Sequence, residues 1–134
     1  MKKILWLVVL VVSVGAYYLL VGKDGTLQVS LKEQNSSGES GTAILKEVDG
    51  KVQVTLTVAG QPAGVVQPVH IHEGTCAELG TVVYQLAFPK DGVASVTLLA
   101  VSLADLKTQV PLAVNAHKSG QEPQVYVACG DIAF

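Results

Sequence analysis

Three histidines and two cysteines are the residues of this chain with ligand or redox chemistry, and they fall in three short segments. His70, His72 and Cys76 stand in VHIHEGTC, His117 in VNAHKSG and Cys129 in VACGDI. In an extended strand, side chains two positions apart leave the same face, so His70 and His72 project side by side with Cα atoms about 6.5–7 Å apart. Two imidazoles at that separation reach one ion. Val69 and Ile71 take the opposite, apolar face. The same alternation sets Val110, Leu112, Val114 and Ala116 on one face and Asn115 and His117 on the other. All three histidines are thus expected to point away from the apolar core, unlike a hydrogen-bonded core histidine. Three neutral imidazoles suit copper or zinc, and three histidines plus water are also the ligand set of zinc centres that activate water. Spacing alone leaves both metals open, and Glu73 beside His72 reads as readily as a solvated loop acid as a general base.

Cys76 and Cys129 are an even pair, 53 positions apart, and their pairing depends on the compartment. Lys2 and Lys3 precede Ile4 to Gly22, nineteen residues without a charge. That run exceeds the usual apolar stretch of a signal peptide and reaches the roughly 20 residues that span a bilayer. It reads as an uncleaved membrane anchor, with a cleaved signal peptide as the alternative, and it is apolar on every face, unlike an amphipathic core helix. Lysines on the cytoplasmic side place residue 23 onward outside the membrane, in the periplasm or at the cell surface. Disulfides persist there, so a Cys76–Cys129 bridge is expected. A cysteine ligand beside His70 and His72 is the competing use. Cys129 alternates with Val125 and Val127, which predicts the core side of its strand, while Cys76 is placed in the loop EGTCAELG.

The elements that must hold these residues are strands. Residues 1–22 form the anchor or signal and residues 23–134 one domain, long enough for a small β-sandwich and too short for two domains. That domain carries seven lysines against eleven acids, a formal charge of −4, which argues against nucleic acid as a partner. Alternating runs broken by turn residues every eight to twelve positions predict eight strands and an all-β sandwich or barrel. The runs lie near residues 27–32, 42–48, 52–58, 65–72, 81–88, 93–101, 110–118 and 124–132. Asp49-Gly50 predicts a tight hairpin, since both central residues of such a turn need positive φ. Ser102 is a plausible cap for one helical turn within 102–109.

At these residues the chain resembles the copper/zinc superoxide dismutase superfamily. His70-Ile71-His72 matches that family's H-x-H copper pair, and His117 matches its late copper ligand. Cys76 and the segment Ala128-Cys129-Gly130-Asp131-Ile132 match its disulfide partners. The resemblance spans roughly residues 24 to 134. It implies an eight-stranded Greek-key β-sandwich, a copper site formed by His70, His72 and His117, a Cys76–Cys129 disulfide, and superoxide as a substrate.

The departures bear on function. No histidine lies between His72 and His117, so the family's bridging and zinc-binding histidines have no counterpart and its zinc site is expected to be absent. The family's catalytic arginine is missing too, because the sequence contains no arginine, and Tyr126 stands near its place. The resemblance therefore implies a membrane-tethered, extracytoplasmic copper-binding domain, with a copper-only dismutase as its enzymatic form. Extracellular CHRD-type domains are a second resemblance, through HIHEG and the following TVVYQL, and imply a non-catalytic binding or structural module.

Overall fold

The computed structural model describes residues 25–134. The segment read as anchor or signal lies outside the described residues. Eight strands follow one another: β1 (Leu27–Glu33), β2 (Ser40–Val48), β3 (Lys51–Ala59), β4 (Val69–Thr75), β5 (Glu78–Gln85), β6 (Ser95–Leu99), β7 (Leu112–His117) and β8 (Tyr126–Ile132). They form one antiparallel sheet in the order β5-β4-β7-β8-β1-β2-β3-β6. The sheet curls so that both halves supply side chains to a single core, giving a sandwich-like fold. β1 is the shared strand. Leu27 to Leu31 pair with β2, whereas Lys32 and Glu33 pair with Cys129 and Ala128 of β8.

Period-two alternation builds the core. Leu27, Val29 and Leu31 from β1 meet Val52, Val54, Leu56 and Val58 from β3, and the other half adds Val69, Ile71, Leu112, Val114 and Ala116. Each large side chain buried in this way contributes roughly 1.5–3 kcal/mol against leaving it in water. The Asp49-Gly50 turn forms as expected, with φ of 51° and 73° and Val48 opposite Lys51. Ser102 caps the one short helix among the described residues, α1 (Leu103–Lys107), accepting from the Asp105 N–H at 3.1 Å. Leu106 closes one side of the core.

Three expectations change near the predicted ligands. The stretch between His72 and Thr81 is mostly strand, because β4 runs on to Thr75 and β5 begins at Glu78, leaving Cys76 in a tight turn. Gly74 permits this: its φ is +91°, and a Cβ there would overlap the Glu78 carbonyl oxygen. Val110 is exposed rather than core-facing, since β7 begins only at Leu112, after the cis Val110–Pro111 peptide. Cys129 is buried as expected, but on the other face of the sheet. Its cross-strand neighbours are Lys32 and Asn115, while the flanking Ala128 pairs with core residue Ala116. A one-residue bulge at Val127 shifts the alternation, so extrapolating from Val125 and Val127 gives the wrong side.

Candidate metal centre

The three histidines converge. His70 and His72 leave β4 on the face away from the core, and His117 ends β7, the strand paired beside it. One ring nitrogen from each lies within 4.8 Å of the other two. His70 Nδ1 is 3.1 Å from His117 Nε2, which is 3.4 Å from His72 Nε2. The expectation that they point away from the apolar core holds for the pair on β4, where Val69 and Ile71 lie in the core opposite Ala116 and Val114 while His70 and His72 alternate with them opposite Asn115 and Ala113. They are not surface groups, however. His72 and His117 are 6% and 5% exposed, and only His70 is partly open to solvent.

Bulges aim the two buried rings. Pairing of β4 with β5 shifts register on both sides of His72, and pairing of β7 with β8 shifts between Ala116 and His117. A bulge adds local twist and re-aims a side chain that ideal pairing would hold perpendicular to the sheet. The same distortion brings backbone carbonyls to the far side of each ring. His72 Nδ1 donates to the Gly80 carbonyl at 3.0 Å, and His117 Nδ1 donates to the Pro123 carbonyl. A carbonyl only accepts, so both Nδ1 atoms carry a proton and the neutral rings present Nε2 as an acceptor toward the cluster, that of His117 within hydrogen-bond distance of His70 Nδ1. This is the outer-shell arrangement that orients histidines as metal ligands.

Electrostatics favours the neutral, ligating form. Burial lowers the pKa of His70, and the neighbouring His117 and His72 lower it further. Burial likewise lowers that of His117, against an upward pull from the Pro123 hydrogen bond, with His72 adding a smaller downward effect. Aromatic rings border the cluster. Phe88 stands edge-on to His70 at 6.4 Å between centroids, and Tyr126 edge-on to His117 at 5.4 Å. Lys118, next to His117, is paired with Glu122 at 3.0 Å, and Glu73 is exposed.

The disulfide is formed between Cys76 and Cys129, with Cα atoms 5.8 Å apart, which excludes either cysteine as a ligand. It ties the turn after His72 to β8, and the Cys76 N–H also donates to Asp131 Oδ1 at 2.7 Å. Such a bridge is compatible with an extracytoplasmic location.

Two features of the site escaped sequence reasoning. Asn115, placed on the histidine face by alternation, is fully buried and neither end of its amide has a hydrogen-bond partner. The signal was an amide inside an otherwise apolar run, Leu112 to Ala116. The second is a buried polar cluster at the strand ends. Gln67, just before β4, donates to Glu39 Oε2 at 3.0 Å and to the Lys118 carbonyl just after β7 at 3.2 Å. It holds the entry of one histidine strand to the exit of the other. Burial raises the Glu39 pKa, with the Gln67 hydrogen bond opposing.

No family model matches the chain, and neither a curated protein nor a solved structure is found to match it.

Proposed function

We propose that this chain is an extracytoplasmic copper-binding domain, tethered by its N-terminal segment, with one ion held by His70, His72 and His117. The observation that carries the reading is the paired tautomer lock, in which two buried imidazoles donate Nδ1–H to carbonyls and converge through their Nε2 acceptors. Three nitrogen donors with no thiolate and no carboxylate among them suit copper or zinc. Copper is favoured by the resemblance of HIH, His117 and the ACGDI segment to the dismutase superfamily, whose zinc-binding histidines this chain lacks. The strand order is compatible with the Greek-key sandwich that the same resemblance implies.

The chain's own residues orient the ligands, favour the neutral form of His70 and His117, and exclude water from His72 and His117, while copper when bound supplies one-electron exchange. Superoxide is the proposed substrate of an enzymatic form. Attraction of that anion lacks a dedicated cation, because the sequence contains no arginine and Lys118 is occupied by Glu122. Copper holding is therefore the primary function proposed, and dismutation a secondary activity of the same site.

The test is metal content of the purified full-length chain. About one copper per chain is expected, and His72→Ala should abolish it, since removing one of three ligands also leaves a buried gap. Retention of full copper stoichiometry by His72→Ala would reject the ligand assignment. Superoxide removal by the copper-loaded protein, compared with an unrelated copper-loaded protein, tests the activity separately.

A further inference from the structure

Asn115 is the one side chain on the histidine face whose polarity the fold leaves unexplained. It is 0% exposed, and both Nδ2 and Oδ1 are without a hydrogen-bond partner. It caps no helix and closes no turn. It sits in the middle of β7 among Ala113, Val114 and Ala116, all buried. A buried amide with no partner is destabilising, and a leucine of similar shape would avoid the cost. Its position is specific. His70 stands directly opposite on β4, His117 is two residues along the same strand face, and His72 is the diagonal neighbour, opposite Ala113. The amide thus has His70 beside it on β4, His117 next along its own strand face and Cys129 of the disulfide opposite on β8.

Two deficits therefore share one place. The Nε2 atoms of His72 and His117 are both acceptors and face each other at 3.4 Å, with His70 Nδ1 on the other side of His117 Nε2 at 3.1 Å. Opposite His70 and two residues before His117 is an amide whose oxygen has no donor. An apolar molecule satisfies neither, a water molecule can donate to only two of these acceptors, and a cation engages the nitrogen and oxygen lone pairs together. We infer that Asn115 Oδ1 is a fourth, oxygen donor to the ion, completing the three-nitrogen set from the floor of the site. The inference rests on the copper-binding reading and adds to it a donor from the strand interior.

The experiment uses the full-length chain with copper(II) as the probe and three readouts: affinity by chelator competition, the copper(II) spin-resonance spectrum, and the melting temperature without metal. Asn115→Leu keeps the histidines, so one copper should still bind, about tenfold more weakly, with a spectrum altered by loss of an oxygen donor. The same variant should melt several degrees higher than wild type when metal-free, as removal of an unpaired buried polar group predicts. Asn115→Asp places an anionic oxygen at the same point and should tighten copper(II) about tenfold. Unchanged affinity and spectrum in Asn115→Leu overturn the inference, whatever its melting temperature. So does an Asn115→Asp variant that binds no more tightly, which covers the case in which leucine prevents folding. Failure of the wild-type chain to bind copper, or full copper retention by His72→Ala, removes the underlying reading instead and is recognisable as such.

Discussion

The half-sheet β6-β3-β2-β1 and the half-sheet β5-β4-β7-β8 share one core and differ in the regularity of their pairing. In the first, β1–β2, β2–β3 and β3–β6 run in continuous register, and the outer face carries ordinary exposed residues such as Ile44, Val96 and Leu98. In the second, register breaks at His72 and before His117, and the face away from the core buries two imidazoles, an amide and the Cys129 half of a disulfide. Regular alternation is enough to build a core. A ligand site needs local departures from it, because side chains held perpendicular to a sheet do not converge, and converging polar groups need carbonyls or ions to satisfy them. The two halves can be separated by mutation.

Removing the disulfide should have the largest effect, and on both properties at once. Closing a loop of 53 residues contributes about 4 kcal/mol in the chain-entropy account. The double variant Cys76→Ser/Cys129→Ser should lose about that much in denaturant unfolding. It should also bind copper more weakly, because Cys76 lies in the turn that follows His72 and its N–H is held by Asp131. Loss of stability with copper affinity unchanged would mean that the bridge serves the fold alone.

Leu56→Ala probes the regular half. Leu56 is 1% exposed in β3, and truncating a buried leucine costs about 3 kcal/mol. Below its lowered melting temperature this variant should bind copper as the wild type does. A weakened site would show that the halves are not separable and that core packing alone aims the histidines.

The same contrast explains what was legible beforehand. Period two is enforced wherever a strand has one buried face, so the shared face of His70 and His72, the shared face of Asn115 and His117, and the core residues of β1 and β3 could be read directly. The Asp49-Gly50 turn was legible because few residue pairs accept two positive φ angles. Bulges have no comparable local signature. The one at Val127 put Cys129 on the unexpected face, and strand pairing continues past the irregular register around His72 into a stretch that reads as loop. Burial of His72 and His117 depends on Gly80 and Pro123 arriving from other segments, and burial of Glu39 within a polar stretch depends on Gln67. Those are tertiary contacts, invisible to a pattern of neighbours.

The smallest effect is expected at Glu39, and its sign distinguishes a clamp from a ligand. Glu39 is buried, Oε2 accepts from Gln67 and Oε1 has no partner, so burial raises its pKa in the folded state above the ordinary 4.5. Below pH 4.5 the carboxyl is protonated whether the chain is folded or not, and it makes no difference to stability. As pH rises through 4.5 the unfolded chain ionises first, so this residue's contribution falls until the folded carboxyl also ionises, and is then constant. Glu39→Gln keeps an acceptor for Gln67 and removes the charge. It should gain about 1 kcal/mol at pH 8, comparable to the cost of an unmatched buried polar group, with the gain shrinking toward pH 4 and the acid-side slope flattened. Copper affinity at pH 8 should be unchanged, because Glu39 reaches the histidine strands only through Gln67, whose bond to the Lys118 carbonyl persists. A loss of stability at pH 8, or a loss of copper, would show instead that the ionised carboxylate itself holds β4 and β7 in register.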